Sequence, residues 1–385
     1  MQAGKPYGLL YYTCMTMIMS GCLEPYAPPD TSTAVDILVV EGFLDHGRSS
    51  ASVRLTRAVA LASTEAPSPE VNAKVTIEEG DGATIKLTAD TIAGSYIAND
   101  LIVNPDKQYR LHIITQQGSE YLSDYENVYR TPEIDSVTWH GTAAGTTVYA
   151  STHDATGNSR YYLWDYVETY EYRSTYAPGY QIQNREIVQL REDEYVNRCW
   201  ATKPATSILL HSTKNLGVDA MVDYPLVFMP IRSIKLSIRY SIMVKLKVVS
   251  EKNYAFWQQL KNTTENIGGL FDPMPSQVVG NVHNIRNAKE AVLGYFGAGE
   301  LREKRIFIKH DELPEELQRV TPKPPGCEID TILLELAESL PDDSYLIYPV
   351  GANGPGTAGG YTTAMPICMD CREQGGVLKR PDFWD

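Results

Sequence analysis

The sequence predicts a mainly β chain: an N-terminal β-sandwich, then a larger β-rich region with one α-helix packed on a sheet. Two patterns carry that expectation. Between residues 36 and 130, short alternating runs recur at about ten-residue spacing between turn residues, as half-buried strands require. Beyond them, the long runs 160–172 and 232–250 also alternate, and the second leads straight into a helix-period stretch at 251–267.

The strands can be taken in order. Residues 36–44 read DILVVEGFL, and 52–57 alternate after them. AKVTIEE at 73–79 meets 84–88 across Gly80-Asp81-Gly82. Asp-Gly between alternating runs is a strong hairpin signal, because both residues tolerate the positive φ of a tight turn. Gly94-Ser95-Tyr96 opens another strand, and YRLHIIT at 109–115 sets Tyr109, Leu111 and Ile113 on one face. A sandwich is therefore expected over residues 36–131. The fold expected is an immunoglobulin/transthyretin-like sandwich, and its AKVTI, GSY and KQYRLHI segments resemble the small transthyretin-like or carboxypeptidase-regulatory modules common on exported proteins, which usually serve as spacers or adaptors.

Thr131-Pro132 marks the boundary, and the second domain is expected over 132–385. Strands are expected at 134–139, 148–152, 160–172, 207–211, 232–250, 292–296 and 304–309. In the third of these, Tyr162, Trp164, Tyr166, Tyr170 and Tyr172 share a face. A sandwich core explains such a face. Stacking on a sugar or another ring is the functional alternative, and it makes Trp164 and Tyr166 candidate ligand residues. For the helix, Ser250 is the expected N-cap and Glu251 lies in the first turn. Tyr254, Trp257, Leu260, Thr264 and Ile267 follow at helical spacing, and Gly268-Gly269 ends it. Residues 311–343 are polar and Pro-bearing, with weaker helical signals at 315–319 and 331–339, and read as an insertion.

The N-terminus reads as an export signal. After Lys5, residues 7–20 carry no charge and are mostly apolar, too short to span a bilayer but suited to a signal-peptide core. Met19-Ser20-Gly21-Cys22 follows and resembles a lipobox; Met19 stands where Leu is usual, and Tyr11 and Tyr12 make the core unusually aromatic. Residues 1–21 are thus expected to be removed and Cys22 to carry acyl chains into membrane lipid, several chains holding where one is marginal. An ordinary secretory signal with a chance cysteine is the alternative. Residues 22–35, with Pro25, Pro28 and Pro29, then read as a tether.

Processing leaves Cys199, Cys327, Cys368 and Cys371, and an even number in an exported chain favours two disulfides. All three pairings stay open. Cys368-Met369-Asp370-Cys371 lacks the second close pair or nearby His that zinc wants, and the βαβ setting of a redox site.

The net charge of −14 is spread along the chain, which argues against nucleic acid and against electrostatic adhesion to anionic lipid. The chain has no GxSxG, HExxH or DxDxDG pattern, and the glycine-rich 351–360 lacks the Lys-Ser/Thr ending of a phosphate loop. With 48 acidic residues, some carboxylate pair always looks suggestive, so none is singled out. No catalytic residue, metal or cofactor is expected.

Several long stretches resemble one family. They are VVEGFL (39–44), AKVTIEEGDG (73–82), KQYRLHI (107–113), PEIDSV (132–137), NSRYYLWDYVETYEY (158–172), 238–284, VLGYFGAGELREKRIFI (292–308) and CMDCREQGGVLKRPDFW (368–384). Together they resemble DUF4249, a domain-of-unknown-function family of Bacteroidota lipoproteins. The resemblance implies an outer-membrane lipoprotein of the kind that often accompanies TonB-dependent receptors, and it brings no catalytic residues. In its most distinctive motif, DPMPSQVVGNVHN (272–284), Gln277, Asn281 and His283 are candidate ligand or partner residues; a rigid turn held by Pro273 and Pro275 is the structural alternative. The expected function is non-enzymatic: a lipid-anchored protein of the outer membrane, on its periplasmic face or at the cell surface, that binds a nutrient ligand or assists a TonB-dependent transporter. The rivals are a surface hydrolase acting on glycan or peptide and a structural or adhesive lipoprotein.

Overall fold

A computed structural model describes residues 37–59, 66–265, 278–319, 324–351 and 359–384. Within them the chain is mainly β, in two sandwich-like units joined by crossing strands.

The first unit starts with a hairpin. Leu38–Asp45 runs antiparallel to Ser50–Arg57, with Leu38 opposite Arg57 and Asp45 opposite Ser50. Ser95–Ala98 adds to its far side. Lys74–Glu79 pairs with Thr84–Lys86 through the expected Asp-Gly turn, where Gly82 has φ 97°. It also pairs with Gln108–Ile114, which pairs with Glu120–Ser123. Period-2 alternation sends Leu38, Val40, Val53 and Leu55 inward to meet Val75, Ile77, Tyr109, Leu111 and Ile113 in one core.

This unit is not closed by residues 36–131 alone. Val292–Gly299, read from the sequence as a strand of the second domain, lies parallel between Leu38–Asp45 and Glu126–Tyr129. Val282–Asn284 pairs with Glu120–Ser123. The first sheet is thus completed by strands from far along the chain. The insertion is tight: a Cβ on Gly294 (φ 126°) would sit 1.9 Å from the Val40 carbonyl oxygen, so glycine is required there.

The second unit packs Ile134–Thr142, Gly145–His153 and Ala220–Pro230 against a larger sheet. That sheet runs Arg198–Pro204, Tyr161–Arg173, Arg239–Val248, Arg302–Lys309, with Leu209–Ser212 beside the start of Tyr161–Arg173. The long run at 232–250 resolves into a 3-10 turn, Ile234–Leu236, and the strand Arg239–Val248. Tyr180–Gln183, Glu186–Gln189 and Tyr345–Leu346 form a small third sheet around Ile182, Ala337 and Leu346.

The helix Glu251–Glu265 begins as expected, with the Asn253 amide donating to Ser250 Oγ at 3.1 Å. Its buried residues are Asn253 and Phe256, one position ahead of the expected Tyr254 and Trp257 stripe. The reason is its placement across both units. The Phe256 ring lies 5.6 Å from Tyr295 of the first unit, and the Tyr254 ring 5.1 Å from Tyr161 of the second. Ile267, Gly268 and Gly269 lie outside the described residues.

Two disulfides form, Cys199–Cys371 and Cys327–Cys368, with Cα separations of 5.8 and 5.5 Å. The two cysteines of the CxxC therefore face different partners. Beyond them the C-terminal segment crosses the second sheet. Trp384 is buried, donates from Nε1 to Glu171 at 3.1 Å and packs on Phe307.

Candidate functional site

A concavity of about 450 Å³ lies where the two units meet. The hairpin turn after Asp45 supplies Arg48, and the link between Glu126–Tyr129 and Ile134–Thr142 supplies Glu133. The second sheet supplies Met243, Arg302, Glu303 and Arg305, and Leu301 lies just before its last strand. In the strand Arg302–Lys309 alternate side chains share a face, which puts Glu303 and Arg305 on the side opposite the buried Ile308.

Most charges in this cleft are matched. Arg48 pairs with Glu303 and lies 3.9 Å from Asp45. Arg302 pairs with Glu300 at 2.7 Å and Glu133 at 3.3 Å, and donates to the Thr131 carbonyl at 3.0 Å. Lys245 lies 3.9 Å from Glu303. Arg305 is different. It donates from Nη1 to Ser241 Oγ at 3.0 Å, and its guanidinium lies 3.7 Å from the centre of the Phe383 ring. Among the described residues no carboxylate lies within ion-pair distance of it, although the Glu303 charge two residues away acts on it through space. Burial pushes its pKa down from the usual arginine value.

The distinctive motif divides between two roles. Gln277 lies outside the described residues. Asn281 is 2% exposed and clamps the inserted strand: its Nδ2 donates to the Phe296 carbonyl and its Oδ1 accepts from the Phe296 amide, both at 2.9 Å. That is the geometry of a brace rather than of a ligand contact, since both ends of the amide are occupied. Beside it, Glu126 accepts from Tyr295 Oη at 2.6 Å. Burial raises the Glu126 carboxyl against hydrogen bonds from Tyr295, Ser250 and Asn281. His283 faces outward from the strand Val282–Asn284, with Nε2 3.6 Å from Asp124, which also lies 4.0 Å from Lys252. Asn281 precedes the strand, and within it alternation turns His283 away from the buried Val282 and Asn284.

Trp164 and Tyr166 are 1% and 4% exposed. Trp164 stacks on Tyr224 at 6.3 Å, and burial pushes Tyr166 up to about 12. Neither ring offers a solvent-facing surface, so the candidate stacking role is corrected to a core role. Cys22 lies outside the described residues. Cys199, Cys327, Cys368 and Cys371 are all consumed in disulfides. Among the described residues, no group of three or more His, Cys, Asp or Glu is placed to hold a metal, and no helix is long and apolar enough to cross a membrane.

Sequence reading did not single out Arg48, Glu133 or Arg305. The alternation of REKRIFI does mark Glu303 and Arg305 as sharing a face. What no local pattern shows is that the turn of a hairpin some 250 residues earlier closes over them.

A family model described as "Domain of unknown function (DUF4249)" matches residues 24–305. Comparison with curated proteins gives no match. Among solved structures, the chain is similar to a two fibronectin type-III domain segment from chicken tenascin, at 11% identity and a TM-score of 0.16, over 54% of this chain and 88% of that one. At that score the likeness carries no weight, and the β assignment rests on the sheets described above.

Proposed function

From the premise that this chain belongs to the DUF4249 family, which the match over residues 24–305 shows, we propose a non-enzymatic, lipid-anchored protein of the outer membrane or cell surface. It binds a nutrient ligand and acts as an accessory to a TonB-dependent transporter. The observation that carries the ligand-binding reading is the cleft built jointly by both units. Junctions between domains are common sites for small ligands, and its volume lies in the range such sites occupy. The lipobox-like Met19-Ser20-Gly21-Cys22 supports the anchor. Anchoring two partners in one membrane raises their local concentration, so a weak contact suffices to couple them.

The test is a gentle detergent pull-down of the tagged protein from native outer membranes, with mass spectrometry of its N-terminal peptide and its companions. The expected result is an acylated Cys22 and a stoichiometric TonB-dependent receptor. Recovery of the acylated protein alone removes the transporter partnership. An unmodified cysteine removes the anchor.

A further inference from the structure

We propose that the junction cleft is a carboxylate-binding site in which Arg305 is the recognition residue. This rests on the ligand-binding reading and needs neither the anchor nor the transporter.

Three arginines line the cleft, and two are already matched. Arg48 is held by Glu303, and Arg302 by Glu300, Glu133 and the Thr131 carbonyl. Arg305 spends one N–H on a neutral hydroxyl, Ser241. A guanidinium has five N–H donors. The Phe383 ring backs the guanidinium at 3.7 Å, and the remaining donors form a fork of the kind that takes a carboxylate through two parallel hydrogen bonds. Partial burial costs this cation hydration, and an anion in the cleft restores that loss.

The surroundings select the anion. Glu303 and Glu133 border the same cleft, so a dianionic phosphate meets two carboxylates, whereas a planar monoanion matches one open fork. Met243 and Leu301 offer apolar contact to the body of the ligand. The volume suits a short peptide held by its C-terminal carboxylate or a single acidic sugar. Both present the same group.

The test is calorimetric titration of the full chain in detergent with four probes: an acetylated tripeptide, its C-terminal amide, glucuronate and glucose. One acid is expected to bind, with its neutral counterpart weaker by about tenfold or more, as loss of a bidentate charged contact implies. The acid that binds identifies the source. Arg305→Gln is expected to lose about the same factor, and Arg305→Lys to fall between. Glu133→Gln is expected to bind at least as tightly as the wild type, and circular dichroism checks that each variant is folded. If acid and neutral probes bind alike, the carboxylate inference fails. If that binding is still blocked by Met243→Trp, the ligand-binding reading survives it. Failure of both acids to bind the wild type overturns the inference and removes the cleft's support for that reading as well.

Discussion

Glu126 is 6% exposed, and the groups that hold it are all neutral: Tyr295, Ser250 and Asn281. Burial is the largest influence and raises the carboxyl above 4.5. The folded state therefore binds this proton more tightly than the unfolded state does. For an acid shifted upward, the contribution to stability is unfavourable above the folded pKa and disappears as pH falls below the unfolded value. Glu126→Gln is expected to stabilise the protein near pH 7 by on the order of 1 kcal/mol, the usual size of a single buried-group effect. That gain is expected to shrink on acidification toward 4.5. Urea unfolding of both proteins across this range measures it, and a gain that does not change with pH contradicts the assignment. Asn281, beside it, shows what a motif reveals at this scale. The residue was visible in the sequence as distinctive, but its role was not, because its partner is the backbone of Phe296 on another strand.

At the scale of elements, what is local was legible. The Asp81-Gly82 turn, the Ser250 cap and the tyrosine-bearing strand Tyr161–Arg173 follow from residues within a few positions of one another. Pairing was not legible. The unbroken apolar and small-residue run Val292–Gly299 announces a strand but does not name its neighbours, and the strand crosses into the first unit between Leu38–Asp45 and Glu126–Tyr129. The helix face shifted for a related reason, because its packing partners come from two units and not from one sheet. Gly294 tests the insertion. Its φ of 126° and the Val40 oxygen 1.9 Å from an added Cβ leave no room for a side chain. Gly294→Ala is expected to destabilise by about 3 kcal/mol or more, combining backbone strain with displaced pairing. The first unit is expected to become protease-sensitive before the second. An alanine variant as protease-resistant as the wild type would mean that the strand is not held in this register.

At the scale of the molecule, the two units are tied by different means. The first receives a strand from far along the chain, while the C-terminal segment is fixed to the second by covalent and non-covalent contacts. Cys199–Cys371 pins the start of that segment, the Trp200 and Val377 backbones exchange hydrogen bonds at 2.9 Å, and Trp384 docks on Glu171. The sequence indicated two disulfides and left the pairing open, since cysteine spacing carries no information about which strands lie side by side. A cross-link over a sequence separation of 172 residues constrains the unfolded chain strongly, and loss of a native disulfide costs about 2–5 kcal/mol. Replacing both Cys199 and Cys371 by serine therefore lowers the thermal midpoint, and the structure says where the loosening starts. Hydrogen exchange followed by mass spectrometry is expected to rise over 371–384, while 38–57 and 108–114 keep their protection, because the first core takes no residue from the C-terminal segment. Phe383 then no longer backs the Arg305 guanidinium, so carboxylate binding is expected to weaken in the same variant even though every cleft residue is unchanged. Equal loss of protection in both units would instead mean that they unfold as one cooperative body, with the strand Val292–Gly299 transmitting the damage from the second to the first.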